Sequence, residues 1–101
     1  MNFVEVANVN DLRESKRKLV NIGNDKIALF FLDGKVYAIS AVCPHRGGEL
    51  IDGQSDDEEI ICPMHAFMFN IKTGICLNHP GYSVRNFRVK IEGNIVKVGV
   101  E

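Results

Sequence analysis

All of the chain's cysteines, histidines and prolines lie in its middle, between Val42 and Tyr82. On both sides of this segment, short apolar runs are separated by turn residues, a pattern that is typical of β-strands. A chain of 101 residues is long enough for one small domain and too short for two. The sequence therefore predicts a single β scaffold that carries a loop-rich insert, and such loops often carry function.

Two β-hairpins are predicted, one on each side of this middle segment. Asp33-Gly34 separates two apolar runs, and this dipeptide favours a tight turn because it accepts positive φ angles. Gly93-Asn94 makes the second turn, and the run before it alternates apolar and charged residues, as a half-buried antiparallel strand does. The four predicted strands are Lys26 to Leu32, Lys35 to Ala41, Val84 to Glu92 and Ile95 to Val100.

The beginning of the chain also has an extended pattern, over Phe3 to Ala7 and Lys18 to Ile22. Between these strands, Asn10 to Lys16 is predicted to form a short helix with Asn10 as its N-cap. No other segment sustains a helical period. The predicted fold class is therefore all-β and antiparallel.

Composition and charge narrow the possible functions. The formal net charge is -1, which gives no basis for nucleic-acid binding. No apolar run approaches the roughly 20 residues of a membrane span, and the residues from Met1 to Asn10 lack the order of a signal peptide. A cytoplasmic protein is expected, and three cysteines in such a chain argue against a disulfide framework.

Two short clusters in the middle segment have the composition of a metal site. They are Cys43-Pro44-His45 and Cys62-Pro63-Met64-His65, with sixteen residues between His45 and Cys62. Each supplies one thiolate and one imidazole, which are good ligands for iron and zinc. Each cysteine is followed by a proline, which stiffens the loop beside the ligand. The candidate ligands are Cys43, His45, Cys62 and His65.

This arrangement resembles the signature of the Rieske iron–sulfur family, in which C-P-H is followed by C-P-x-H after a similar gap. The resemblance extends to Phe69-Asn70 and Thr73-Gly74 after the second cluster, and to the proline-containing loop His79 to Tyr82. It covers essentially the whole chain. It implies an antiparallel Rieske-like β-sandwich, as a single domain over residues 1–101, with a cluster-binding subdomain at about residues 41–82.

The resemblance also implies a cofactor and a role. One 2Fe-2S cluster would be held with Cys43 and Cys62 on one iron and His45 and His65 on the other. The chain would be a ferredoxin, an electron carrier rather than an enzyme, between a flavin-dependent reductase and a terminal oxygenase. No catalytic residue is expected, because the chain is too short for a catalytic domain beside the cluster domain. No mononuclear iron site is expected either, because only His79 is left for a 2-His-1-carboxylate set.

The same ligand set bears on the reduction potential. Two ferric ions, two sulfides and two thiolates sum to zero charge, so the cluster accepts an electron more readily than a four-thiolate cluster. Rieske potentials accordingly lie at about -150 to +300 mV, against about -400 mV for plant-type centres. High-potential Rieske proteins have Ser and Tyr where this chain has Phe67 and Phe69, and an extra cysteine where it has Met64. The lower end of the Rieske range is therefore predicted.

Other interpretations remain open at this level. The four candidate ligands suit a structural Cys2His2 zinc site, and the fold implied by the resemblance also occurs in the small subunit of assimilatory nitrite reductases. Cys76 is expected to be a small buried residue and His79 a solvated one. The acidic run Asp56 to Glu59 is either a solvated turn or a docking patch for a basic partner.

Overall fold

The computed structural model describes residues 2–43, 49–56, 58–63, 67–79 and 81–100. These residues form ten strands, one α-helix and one 3-10 turn at Leu50–Asp52. In this described part of the chain, no helix has the length and apolar character needed to cross a membrane. The elements are β1 Asn2–Asn8, α1 Val9–Ser15, β2 Arg17–Ile22, β3 Asp25–Leu32, β4 Lys35–Ser40, β5 Gln54–Asp56, β6 Glu59–Ile61, β7 Met68–Asn70, β8 Asn86–Phe87, β9 Val89–Glu92 and β10 Ile95–Val100.

The strands form three antiparallel sheets, which confirms the predicted all-β class. The first has the order β1-β10-β9, the second β2-β3-β4-β8 and the third β5-β6-β7. The third sheet lies wholly within the middle segment that the sequence analysis described as loop-rich. Each of its strands has only three residues, too few to show a two-residue period.

The second sheet is buried on both faces. On β3, Ile27 and Leu29 belong to a core shared with the first sheet, while Ala28 and Phe30 belong to a core shared with the third. All four side chains are at most 3% exposed. This explains why β3 is apolar without alternation, as strands covered on both sides usually are.

The two predicted hairpin turns are confirmed. Asp33 and Gly34 have φ angles of 51° and 78° between β3 and β4, and Gly93 has φ 63° between β9 and β10. The single strand predicted over residues 84–92 is wrong, because the chain changes sheets at Arg88. β8 pairs with β4, whereas β9 pairs with β10. Phe87 is consequently buried, while Ile91 is 44% exposed.

The short helix is confirmed, but its predicted N-cap is wrong. Asn8 is the N-cap, and its Oδ1 accepts a hydrogen bond from the Asn10 backbone N–H at 2.8 Å. The helix ends at Lys16, which has φ 72° and donates its N–H to the Leu12 carbonyl. Leu12, fully buried, anchors the helix in the core between the first and second sheets.

Candidate metal centre

The first candidate ligand loop follows β4. Val42 forms an isolated antiparallel bridge with Glu49, and the Leu50 N–H donates to the Ala41 carbonyl at 2.7 Å. These contacts close the base of the loop. Cys43 is the first residue beyond the bridge and is 1% exposed.

The second candidate loop connects β6 and β7. Ile61 pairs with Met68 at the end of the ladder, and the Cys62 N–H donates to the Phe67 carbonyl at 2.9 Å. Cys62 is 2% exposed and, like Cys43, is the first residue beyond the last strand pair. The two cysteines therefore occupy equivalent positions in two closed hairpin loops.

Both cysteines belong to one apolar core, together with Leu50, Ile60 and Phe69. Thiolates are the form that binds metal, and a negative charge buried among apolar side chains is costly unless a cation compensates it. The three cysteines of the chain form no disulfide with one another. Two buried sulfur donors in one core therefore fit the sulfur half of a 2Fe-2S ligand set. His45 and His65, the other two predicted ligands, lie outside the described residues.

A third loop packs beside the second. The ring of His79 lies 4.0 Å from that of Phe67, centroid to centroid, and the ring of Tyr82 lies 5.2 Å from it. His79 is exposed, as predicted, but no sequence pattern indicated this ring contact. Since Phe67 lies two residues after His65, the contact joins the third loop to the second candidate ligand loop.

Asn78 makes a second connection between these loops, and this role was not predicted from the sequence. Its Oδ1 accepts the Met68 N–H at 3.0 Å and lies 3.4 Å from the Cys76 Sγ. Cys76 is 6% exposed, which confirms its predicted burial. An isolated asparagine in a loop has no pattern that would reveal such a role.

The turn after β7 is built by Asn70 and Gly74. The Asn70 Oδ1 accepts the N–H groups of Lys72 and Thr73 at 2.8 and 3.1 Å. Gly74 has φ 81°, and a Cβ there would lie 2.2 Å from the Val84 carbonyl oxygen. This close approach explains why the F-N-x-x-T-G motif ends in glycine.

Arg17 ties the second sheet to the segment between the two candidate ligand loops. Its Nη1 donates to the Ile51 and Gly53 carbonyls at 2.8 and 2.7 Å, and its Nη2 donates to the Ser55 Oγ at 2.8 Å. Its guanidinium also lies over the Phe30 ring, 5.5 Å from the centroid. This role could not be predicted from the sequence, because a lone arginine in a strand carries no motif.

One carboxylate of the acidic run is engaged by a cation. The Glu58 carboxylate lies 2.6 Å from the Lys72 Nζ, and the Ile71 N–H donates to the Glu58 carbonyl. The side-chain hydrogen bond with Glu58 raises the pKa of Lys72 above its ordinary value of 10.5. Asp57 lies outside the described residues, which leaves Asp56 and Glu59 as the other described members of the run.

Comparison with known proteins agrees with this geometry. The sequence model of the Rieske [2Fe-2S] domain matches residues 2–88. The ferredoxin component of the naphthalene 1,2-dioxygenase/salicylate 5-hydroxylase systems of Ralstonia sp. is 31% identical over 101 residues, which cover 99% of this chain and 97% of that protein.

Solved structures give the same result. The ferredoxin of carbazole 1,9a-dioxygenase from Nocardioides aromaticivorans IC177 superposes with a TM-score of 0.90 at 28% identity, over 100% of both chains. A chain from the complex of reduced oxygenase and oxidized ferredoxin in carbazole 1,9a-dioxygenase gives a TM-score of 0.86 at 26% identity, over 95% of this chain and 91% of that one.

The chain belongs to the Rieske [2Fe-2S] domain family. This confirms the family, the sandwich fold and the 2Fe-2S cofactor predicted from the sequence. When bound, such a cluster stores and releases one electron.

Proposed function

We propose that the chain is a Rieske-type ferredoxin that holds its cluster through Cys43, His45, Cys62 and His65. The observation that carries the proposal is the end-to-end match to a dioxygenase ferredoxin component, at 31% identity over 99% of this chain and 97% of that protein. The two buried cysteines at equivalent loop positions supply the sulfur donors. The histidines are assigned by the C-P-H and C-P-x-H motifs.

The protein's own residues have three tasks in this role. The hydrogen-bonded loop bases hold the two sulfur donors, and the apolar core around them excludes water. Excluding water keeps the local dielectric low, so that nearby dipoles act strongly on a cluster whose charge changes by one unit. The third loop packs against Phe67 at the end of the second candidate ligand loop.

We further propose that the electron comes from a flavin-dependent reductase and goes to a terminal oxygenase, in the cytoplasm. The oxygenase half is supported by the similarity to a chain from an oxygenase–ferredoxin complex, at a TM-score of 0.86. The flavin-dependent reductase is inferred from the one-electron chemistry of the cluster. A nicotinamide donor gives up two electrons at once, and a flavin can accept both and pass them on one at a time.

Iron and acid-labile sulfide analysis, with EPR of the reduced protein, tests the cofactor assignment. We expect two irons and two sulfides per chain and a rhombic signal after reduction. Replacing His45 or His65 by Ala, and Cys43 or Cys62 by Ser, should each remove the signal, whereas Cys76→Ser should keep it. Zinc at these side chains in anaerobically purified protein would overturn the assignment.

A second experiment tests the place in the electron-transfer chain. We expect NADH and a purified flavin-dependent ferredoxin reductase to bleach the cluster's visible absorption, and an aromatic-ring dioxygenase to restore it in the presence of substrate and oxygen. Electron delivery to an assimilatory nitrite reductase, with none to the dioxygenase, would favour the alternative role as a nitrite reductase subunit.

A further inference from the structure

The outer face of the third sheet is apolar next to the candidate ligand loops. Ile61 pairs with Met68, and the Leu77 N–H donates to the Met68 carbonyl, so the three side chains form a row across β6, β7 and the segment that bridges to β7 through Cys76. Ile75 lies one step along the same face. The alternate residues Ile60, Phe69 and Cys76 point inward and are at most 6% exposed.

This outer face is unusually exposed. Ile75 and Leu77 are 54% and 49% exposed, more than any other large apolar side chain of the described residues. Ile61 and Met68 directly adjoin Cys62 and Phe67 in the chain, which places the row at the base of the second candidate ligand loop. Contiguous exposed apolar side chains beside a functional site mark an interaction surface.

Carboxylates border this face at its far end. Asp56 and Glu59 are directly opposite one another across the β5–β6 ladder, on the same side as Ile61 and Ile75. Like charges in that position destabilise a sheet. No lysine or arginine of the described residues forms an ion pair with either carboxylate, in contrast to Glu58. A cation from another molecule would relieve this repulsion.

Negative charge is also concentrated in the part of the chain that carries this face. Residues 41–82 contain six carboxylates and two basic side chains, Arg46 and Lys72, which gives a formal net charge of -4. The rest of the chain contains ten basic side chains and seven carboxylates, which gives +3. The overall charge of -1 is therefore the sum of a negative part, which carries the candidate ligand loops, and a positive part, and the molecule has a dipole. A dipole of this kind orients the molecule as it approaches a charged partner.

We propose that the face formed by Ile61, Met68, Ile75 and Leu77, bordered by Asp56 and Glu59, docks an electron-transfer protein with an apolar patch ringed by lysine or arginine. The inference rests on the proposed carrier function and adds the surface and the chemistry of its partner. The carboxylates orient the encounter, and burial of the apolar row holds the complex. One electron moves from the reduced cluster to the oxidised partner.

Cytochrome c, whose apolar haem edge is ringed by lysines, is a suitable probe. Dithionite-reduced holoprotein is mixed with oxidised cytochrome c, and the second-order rate constant is measured from low to high salt. The paired variants are Ile75→Gln with Leu77→Gln for the apolar row, and Asp56→Asn with Glu59→Gln for the carboxylates. Ile91→Gln and Glu14→Gln are matched controls, because both residues are exposed on other elements.

We expect the apolar double variant to react about tenfold more slowly at every salt concentration. The carboxylate double variant should react about fivefold more slowly at low salt, and its salt dependence should be flatter. The controls should stay within about twofold of wild type. Iron content and midpoint potential are measured for each variant, so that a slower reaction caused by a changed cluster can be recognised. Equal rates for the face variants and the controls would overturn the docking proposal.

Carbodiimide cross-linking of the oxidised proteins gives a readout that needs no electron transfer. Lysines of cytochrome c should couple to Asp56 and Glu59, and coupling confined to scaffold carboxylates would overturn the proposal. Sedimentation tests for a second copy as the occupant: a wild-type dimer that Leu77→Gln makes monomeric would also overturn it. Holoprotein that cross-links at this face but passes no electron to any acceptor would instead refute the carrier function.

Discussion

Gly53 occupies a position near the candidate metal centre where there is no room for a side chain larger than hydrogen. Its φ is -73°, which any residue adopts, yet a Cβ would lie 2.1 Å from the Ile61 carbonyl oxygen. Ile61 directly precedes Cys62. The requirement for glycine here comes from close backbone approach and not from backbone conformation.

We expect Gly53→Ala to lower the free energy of unfolding by about 3 kcal/mol or more, because backbone must move to admit the methyl group. Urea unfolding of the holoprotein measures this. Gly23→Ala is the control, since Gly23 has φ 59° and no atom within 4 Å of its would-be Cβ, and it should cost only about 1 kcal/mol. A smaller loss at Gly53 than at Gly23 would contradict the structure.

Phe69 allows a test of the low reduction potential predicted from the sequence. It is fully buried in the same core as Cys43 and Cys62, and it stands where high-potential Rieske proteins have a tyrosine. A hydroxyl that donates to ligand sulfur stabilises the more negative reduced cluster. One hydrogen bond of about 1 kcal/mol corresponds to about 40 mV for one electron.

We therefore expect Phe69→Tyr to raise the midpoint potential by about 40 mV, measured by protein-film voltammetry. Phe87→Tyr is the matched control, because Phe87 lies in the core between the first and second sheets, and it should leave the potential unchanged. The wild-type midpoint should fall in the lower part of the range of about -150 to +300 mV. A wild-type value well above zero would show that other donors replace the missing hydroxyls.

Among the elements, β2 has a role beyond its place in the second sheet, through Arg17. The three hydrogen bonds of the Arg17 guanidinium hold the 3-10 turn and β5, and these elements lie between the two candidate ligand loops. We expect Arg17→Lys to lose most of them, because an ammonium group cannot reproduce the planar fork of a guanidinium. The free energy of unfolding should fall by about 2 kcal/mol, and iron should be released faster to a chelator.

Iron release and thermal unfolding of Arg17→Lys and Arg13→Lys are compared to test this. Arg13 lies exposed on α1 and its guanidinium lies over the Phe31 ring, so Arg13→Lys should resemble wild type. If Arg17→Lys releases iron at the wild-type rate, the three Arg17 hydrogen bonds stabilise the scaffold without affecting the candidate ligand loops.

The same elements show how far sequence reasoning reaches. Both hairpins were predictable, because Asp33-Gly34 and Gly93-Asn94 combine turn chemistry with flanking strands. The change of sheets at Arg88 was not predictable, because apolar and polar residues alternate in the same way whether a strand continues in one sheet or passes to another. The N-cap was placed two residues late because Asn8 also ends β1, and a strand that runs directly into a helix leaves no loop to reveal the boundary.

The candidate site follows the same division. Cys43 and Cys62 were predicted because metal chemistry restricts residue type and spacing, and the structure places both in one buried core. Arg17, Gly53 and Asn78 were missed, because they act through contacts with backbone groups that are distant in sequence. Contacts of that kind depend on tertiary geometry and have no local pattern.

For the molecule as a whole, the important feature is that the second sheet packs against a separate hydrophobic core on each of its faces. The core between the first and second sheets contains Leu12, Val96 and Val98, and it contains no cysteine. The core between the second and third sheets contains all three cysteines. Removal of the cluster should therefore affect the two cores unequally, since only the second contains the predicted sulfur ligands, Cys43 and Cys62.

We propose that residues 41–82 behave as a cluster-dependent unit within a single domain. The third sheet has three-residue strands, which have little stability of their own, and without iron its core must accommodate buried thiols that have lost their metal. We expect iron-free protein to lose amide protection in β5, β6 and β7, and to keep it in β1, β3 and β10. Hydrogen exchange followed by mass spectrometry measures this, with the same sample reconstituted with iron and sulfide as the control. Uniform loss of protection would show instead that the scaffold also depends on the metal, and unchanged protection would show that the third sheet is stable without it.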